Sequence, residues 1–449
     1  MIPLPLAAIA QITGAQLHLV ADPGVVASSV VIDSRAAGPG ALFAALPGQR
    51  VDGLDFAPAA IAAGAVAVLA ASPPAGPALV VPAVAALPGL TIAGITGSAG
   101  KTTTKDLAAE LIEQLGPTVS PHGSFNNEIG HPLTILRADA RTRYLLLELS
   151  ARGAGHIARQ CQIARPSLGV VLTVGHAHTG EFGGLAEVAR AKAELPAALP
   201  ADGVALLNAD DPVVLAMAGQ TAARVVTFGR APQATVRAHA VSLDERGRPE
   251  FTLATPDGSA PVRLRLAGLH NVTNALAAAA LAGQLGLGLP EVAAGLSAAT
   301  ARSRWRMEVT ERPDGVTVIN DAYNASPEAM AAAIGTLAAI ARGRRAFAVL
   351  GPMYELGAES RDWHEEAGAL AARAGVAGLI VVGEDAGPML TGAKNESSWQ
   401  GELLAVPDAG SAVAALSARL APGDVVLVKA SRAAGLERVA LALTGEATP

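Results

Sequence analysis

A single cysteine, Cys161, stands in a chain of 449 residues. An internal disulfide is therefore excluded, which fits a reducing compartment such as the cytoplasm. Nothing around Cys161 supports a catalytic role, and the expected use is a small buried hydrophobe. Aromatic residues supply only 3% of the chain. The core must then be built from Ala, Val, Leu and Ile, which dominate a hydrophobic share of 51%. One-sided charge is missing as well: 33 Lys and Arg face 39 Asp and Glu, a net charge of -6. That balance gives no support to nucleic-acid binding as the main role. No apolar run reaches the roughly 18 residues of a membrane span; the alanine-rich stretch Ala275–Ala282 is cut short by Gly283 and Gln284. The start, Met1–Ala10, is apolar but has no basic flank and contains Pro3 and Pro5. It is expected to be the first strand or helix of the fold and not a signal peptide.

What the chain does have is a phosphate cradle. Gly97-Ser98-Ala99-Gly100-Lys101-Thr102 follows the apolar run Leu90–Ile95 and precedes a segment in which Leu107, Leu111, Ile112 and Leu115 share one helical face. Strand, glycine-rich turn, Lys-Thr and helix is the layout that holds a nucleoside triphosphate. The glycines let backbone N–H groups approach phosphate oxygens, and the helix start adds unpaired N–H groups and a positive dipole end. Lys101 suits the β- and γ-phosphates and the Thr102 hydroxyl suits Mg²⁺. The spacing departs from the strict motif, because five residues separate Gly94 from Gly100.

Three α/β domains are expected, over residues 1–88, 89–298 and 299–449. The first ends in a proline-punctuated stretch. In the second, apolar strands are predicted at Tyr144–Leu149, Leu168–Val174, Val204–Leu207 and Val225–Phe228, with helical segments between several of them. That rhythm predicts a mostly parallel sheet covered on both faces. Pro256-Asp257-Gly258 is expected to turn an antiparallel hairpin within Phe251–Leu266. The third domain repeats the pattern with strands at Val316–Ile319, Ala346–Leu350, Gly378–Val382 and Val425–Val428.

Ligands of parallel sheets collect at the carboxyl ends of strands. The residues there are Gly97–Thr102, Glu148, His176 and His178, Asn208 and Asp210, Asp321, Gly351 and Lys429. Glu148 is placed to hold Mg²⁺, the alternative being a pair with Arg152. His176 and His178 compete for a metal or phosphate contact, and spacing does not separate them. Lys192 lies in a helical stretch and on its own reads as a solvated lysine. Asn271 and Asn274 open an alanine-rich helix, as a cap or as an adenine or ribose contact. Ser326 and Pro327 read as N-cap and first residue of a helix, which leaves Asp321 free for a ligand. Lys429 and Arg432 offer cations to a carboxylate or phosphate.

Taken together these segments resemble the Mur ligases, over essentially the whole chain. Asp33-Ser34-Arg35, Leu42–Gly48 and Asp52–Phe56 are similar to that family's UDP-sugar-binding domain, and Thr96–Thr103 is similar to its version of the phosphate loop, with the shifted glycine. Asn126-Asn127-Glu128-Ile129-Gly130, Asp321–Pro327 and Leu350–Gly357 with His364 resemble the branch that adds a dipeptide. The resemblance implies a UDP-binding first domain, a central P-loop ATPase domain and a Rossmann-like third domain. It implies an ATP- and Mg²⁺-dependent ligase, cytoplasmic and monomeric, joining D-alanyl-D-alanine to UDP-N-acetylmuramoyl-tripeptide through an acyl phosphate. Other amino-acid ligases of the superfamily, of folylpolyglutamate type, and a P-loop switch without ligase chemistry are the alternatives.

By the same resemblance, ATP is held by Gly97, Ser98, Ala99, Gly100, Lys101, Thr102, Thr103, Asn274, Arg306 and Asp321. Mg²⁺ is held by Thr102, Glu148, His178 and a carbamylated Lys192; Lys101, Lys192 and His178 are catalytic; and Ser34, Arg35, Asn126 and Asn127 meet the substrate. Pro352, Ala430, Ser150 and Leu54 depart from the family pattern, which has Asp, Gly, Gly and commonly His there.

Overall fold

The computed structural model describes residues 3–13, 15–45, 52–70, 74–80, 89–121, 123–126, 130–135, 137–139, 141–177 and 179–446. Three large sheets and one two-stranded ribbon organise them. The chain start, expected to be a strand or a helix, is both: a short strand at Leu4–Pro5 and a helix at Leu6–Thr13. The first large sheet has five strands, four of them joined in parallel and Gln16–His18 added antiparallel at one edge.

The central sheet has nine strands. The strand Thr91–Thr96 (β1) runs parallel to Tyr144–Glu148 (β2) on one side and to Leu168–Val171 (β3) on the other. The parallel run continues through Val204–Asn208 and Arg224–Gly229 to Val236–Leu243. Pro249–Thr255 and Gly258–Arg263 then add the expected antiparallel hairpin. The helix Lys101–Ile112 (α1) covers one face together with Asn271–Gln284, and Leu185–Ala197 (α2) covers the other. Ala275, Ala277, Ala278, Ala280 and Ala282 are all buried where Asn271–Gln284 (α3) meets the sheet and α1. With no side chain beyond Cβ, they allow close helix–sheet approach without aromatic filling. Leu107, Leu111 and Leu276 then each contribute about 2 kcal/mol of burial.

β3 ends at Val171, three residues before the predicted Val174. The reason is local: the residues beyond it leave the sheet to hold the phosphate loop. Leu172 N donates to Thr96 O at 3.0 Å, and Ser98 N donates to Thr173 O at 2.9 Å.

The third sheet has six strands. Thr317–Asn320 (β4), Ala346–Leu350 (β5) and Val425–Lys429 (β6) form its parallel centre with Gly378–Val382. Besides the two-residue edge strand Thr118–Val119 of the central sheet, three strands of the central and third sheets go beyond those expected from the sequence: the two edge strands Glu308–Glu311 and Glu402–Val406, and Val236–Leu243 of the central sheet. All three carry mixed or partly exposed patterns that do not stand out as apolar runs. Helix Pro327–Ala341 (α4) begins as predicted, with Ser326 Oγ accepting from Ala329 N at 3.4 Å and Pro327 in the first turn. Among the described residues no helix is long and apolar enough to cross a membrane.

Candidate active site

A cavity of about 450 Å³ opens at the carboxyl end of the central sheet, with its far wall supplied by the third sheet. The loop between β1 and α1 forms its floor. Gly100 sits at φ 83° and Gly97 at φ 154°. A Cβ on Gly100 would lie 2.3 Å from Asn274 Oδ1, and one on Gly97 would lie 2.8 Å from Leu172 Cβ. Both positions therefore demand glycine on backbone and packing grounds. Ser98 Oγ both donates to Gly175 O at 3.1 Å and accepts from Gly175 N at 2.9 Å, so this side chain is used to fasten the loop. Lys101 Nζ donates to Gly97 O at 2.7 Å. Burial pushes the Lys101 ammonium below its usual range, Glu148 opposes that shift and Arg306 adds to it. A cation in that situation favours an incoming polyanion.

Glu148 ends β2, one strand from the loop, and is 1% exposed. Its oxygens accept from Thr102 Oγ1 at 3.0 and 3.2 Å, and from Asn126 Nδ2 at 2.7 Å. The alternative pair with Arg152 does not form: Arg152 lies 3.7 Å from Glu181 and 3.9 Å from Glu355. A buried carboxylate beside a helix-start hydroxyl is a hard oxygen donor set of the kind Mg²⁺ uses with phosphates.

Asp321, Arg306, Tyr323 and Lys429 come from the third region to line the same cavity. Asp321 is not free as expected. Lys429 Nζ lies 2.5 Å from its Oδ2, and Met307 N donates to its Oδ1 at 2.9 Å. Lys429 is buried at the end of β6, and an unpaired ammonium there would be costly, so the two residues are held together. The Arg306 guanidinium stacks over the Tyr323 ring at 4.1 Å. The Tyr323 hydroxyl is hydrogen-bonded to Ser124 Oγ of the central region.

Neither Asn271 nor Asn274 acts as the cap of α3. Asn274 is 4% exposed, donates to Asn271 Oδ1 at 2.9 Å, and accepts from Thr104 Oγ1 at 3.3 Å. It ties α3 to α1 directly beneath Gly100. Asn208 and Asp210 also leave the expected cluster. Asn208 Nδ2 donates to Leu172 O at 2.8 Å, while Asp210 accepts from Arg230 N and Ala231 N. Gly351 packs against the third sheet's own turn, where its Cβ would lie 2.8 Å from Ala430 Cβ. The absence of a side chain at position 351 leaves room for the Ala430 methyl. Pro352 keeps its carbonyl in use, accepting from Ser431 N at 2.9 Å.

Lys192 is not the solvated residue that its helix suggested. It is 3% exposed on α2. Burial lowers its ammonium to about 7, the nearby charge of Lys101 pushes the same way, and Glu194 opposes. His176 is engaged across the two regions: Glu328 Oε1 lies 2.8 Å from both its Nδ1 and its backbone N. Burial pushes the Glu328 carboxyl up, but the hydrogen bonds from His176 outweigh that and leave it lowered. His178 and Asn127 lie outside the described residues. Ser34 opens a turn capped by Asp33, and Arg35 pairs with that same Asp33 at 2.7 Å. Neither Ser34 nor Arg35 lines the cavity.

The structure adds residues that the sequence did not single out for this site: Ser124, Glu328 and Asp106 all line the cavity. Glu328, directly after Ser326-Pro327, reads as an ordinary acid in a first helical turn. Only its approach to His176 from another region gives it a further part.

Comparison with known proteins agrees with this geometry. Residues 95–282 match the family model "Mur ligase middle domain", 305–432 match "Mur ligase, glutamate ligase domain" and 26–109 match "Mur ligase family, catalytic domain". A UDP-N-acetylmuramoyl-tripeptide–D-alanyl-D-alanine ligase of Mycobacterium tuberculosis is 49% identical over 100% of this chain and 99% of its own length. A solved structure of MurF from Acinetobacter baumannii superposes with a TM-score of 0.85 at 28% identity, covering 99% of each chain. MurF from Thermotoga maritima, solved in complex with ADP, gives 0.77 at 28% identity over 92% of this chain and 96% of the other. With its whole length matched and a nucleotide-type loop at the centre of its cavity, this chain belongs to the Mur ligase family.

Proposed function

We propose that this chain joins D-alanyl-D-alanine to UDP-N-acetylmuramoyl-tripeptide by ATP-dependent amide ligation, in the cytoplasm and as a monomer. The observation that carries the reading is the shared cavity. The phosphate loop with Lys101 and Thr102, the buried Glu148, and the cation-bearing wall of Arg306 and Lys429 face one another there. The full-length relative from Mycobacterium tuberculosis carries the name of that ligase.

A peptide carboxylate is a poor electrophile because its oxygen leaves badly. Passing the γ-phosphoryl group of ATP to that oxygen makes an acyl phosphate. The dipeptide amine then attacks the carbonyl carbon, phosphate departs, and one proton is released. Two anions must meet for the first step, so charge neutralisation and positioning are the protein's main contributions. In this reading the Gly97–Thr103 loop wraps the phosphates: Lys101 meets the β- and γ-phosphates and the N–H groups of Gly100–Thr103 point to them, while Ser98 N and Ala99 N are spent on Thr173. Asn274 supports the loop from below, and Arg306 and Asp321 approach from the third region. Thr102 and Glu148 hold Mg²⁺, which neutralises phosphate charge when bound. Ser34 and Arg35 on the first sheet, with Asn126 and Asn127, meet the UDP-linked substrate. The domains 1–88, 89–298 and 299–449 then serve the UDP moiety, ATP and the dipeptide.

Lys192 and His178 complete the set as a carbamate and its companion ligand. The lowered ammonium of Lys192 supports the first part, since only a neutral amine adds to CO₂, giving a carbamate anion and a proton.

The test is phosphate release coupled to product analysis. With ATP, Mg²⁺, the UDP-muramoyl tripeptide and D-alanyl-D-alanine, ADP and the new amide are expected in equal amounts. Release that ignores both co-substrates would instead indicate a nucleotide switch. A glutamate-adding activity on a folate would indicate the other ligase type.

A further inference from the structure

Lys105 is one turn beyond Lys101 on α1, and its side chain is 2% exposed. A buried ammonium is an expensive way to fill space, and a methionine would pack there with no charge to satisfy. What the ammonium offers is direction. Its Nζ lies 2.5 Å from Asp106 Oδ1 and donates to Pro121 O at 2.8 Å and Gly123 O at 3.1 Å. Two of its three donors are spent on those carbonyl oxygens, and the Asp106 carboxylate supplies the opposite charge.

Those acceptors are informative in their placement. Pro121 and Gly123 belong to the segment that carries Ser124 and Asn126. Asn126 Nδ2 reaches Glu148 Oε1 at 2.7 Å. Ser124 Oγ bonds the Tyr323 hydroxyl, whose ring supports Arg306. Asp106 uses its other oxygen to accept from Ser303 Oγ at 2.6 Å, in the stretch that leads to the third sheet. The nucleotide loop itself contributes none of the Lys105 partners.

We infer that Lys105 is a positioning residue, whose buried ammonium fixes the Ser124–Asn126 segment and thereby aims Glu148 from one side and Tyr323 from the other. Lys101 and Lys105, on one helix, divide the work: the first faces the phosphates and the second indexes the wall opposite them. The catalytic consequence rests on the ligase reading above; the positioning does not.

The experiment uses the full chain with Lys105→Met, and Lys105→Gln in case the first variant does not fold. Hydrogen–deuterium exchange reads the positioning without any substrate. Exchange of the peptide around Gly123–Asn126 should rise about tenfold, while the phosphate loop stays protected. Kinetics read the consequence. The kcat for amide formation should fall about ten- to hundredfold, the range expected for a misplaced reacting group. The Kd for a fluorescent ADP should change less than about threefold. In a Ser124→Ala/Asn126→Ala background the same substitution should cost less than about threefold, because both side chains it positions are gone. Unchanged exchange in the Gly123–Asn126 peptide overturns the inference. So does a loss in kcat that multiplies in full on the Ser124→Ala/Asn126→Ala background, or a loss of ADP binding as large as the loss in kcat. If the unsubstituted protein forms no amide product, the ligase reading falls and the exchange result alone still decides the role of Lys105.

Discussion

Lys192 offers the sharpest quantitative check, because its environment pushes it in one direction by a large amount. Its ammonium drops from 10.5 to about 7 on burial. At 1.36 kcal/mol per pH unit, that gap is worth about 5 kcal/mol. The sign follows from proton linkage. Between pH 7 and 10.5 the unfolded chain holds a proton at this position that the folded chain has lost. Stability attributable to Lys192 therefore rises with pH through that window and is flat below it. Lys192→Met removes the titration. The variant should be more stable than the parent by about 3–5 kcal/mol at pH 7, with the difference shrinking towards zero near pH 10.5. Urea unfolding followed by circular dichroism at pH 7, 8, 9 and 10, in CO₂-depleted buffer, measures this directly. Adding bicarbonate at pH 8 should then stabilise the parent and leave the variant unchanged, because only the neutral amine of the folded state takes up CO₂. A ¹³C-bicarbonate spectrum should show one carbamate carbon that is missing from the variant. A stability difference that does not vary with pH would refute the reasoning, whatever happens to activity.

Four other outcomes are expected. Gly100→Ala should abolish nucleotide binding in a fluorescence titration, since φ 83° costs an L-residue about 1–2 kcal/mol and the new Cβ would sit 2.3 Å from Asn274 Oδ1. Glu148→Gln should raise the Mg²⁺ concentration needed for half-maximal phosphate release by about tenfold or more, and an unchanged Mg²⁺ dependence would count against its assigned role. Glu328→Gln takes the charge out of the bridge to His176 while leaving an acceptor for His176 N; with the carboxylate side chain 43% exposed the loss should be only about 0.5–1 kcal/mol, read as a small drop in thermal stability. Cys161, whose thiol burial pushes up to about 12, should resist a disulfide reagent at pH 8 until the protein is unfolded, and Cys161→Ala should keep full activity.

Much of the site is legible in the amino-acid sequence, because its residues obey local rules. A loop that needs two positive-φ glycines, a lysine and a hydroxyl must announce them within six positions, so Gly97–Thr102 can be read directly. Glu148 stands out because it ends an apolar strand. Ser326 and Pro327 stand out because a helix start has few chemical solutions. Asp321, Lys192 and the two asparagines show where such reading stops. Each belongs to the right neighbourhood, yet its state depends on residues far along the chain: Lys429 for Asp321, Thr104 for Asn274, and the packing of α2 for Lys192.

The sequence by itself determined the alternation of apolar strands and helices, the nucleotide loop and the alanine-built core. These depend on periodicity and on residues a few positions apart. Only the tertiary structure decided which charges are paired, which lysine is buried, and that Lys105 grips the segment bearing Asn126 while Glu328 reaches His176 from 152 positions away. Burial and long-range pairing arise when separate elements pack, and no local pattern encodes the distance between them.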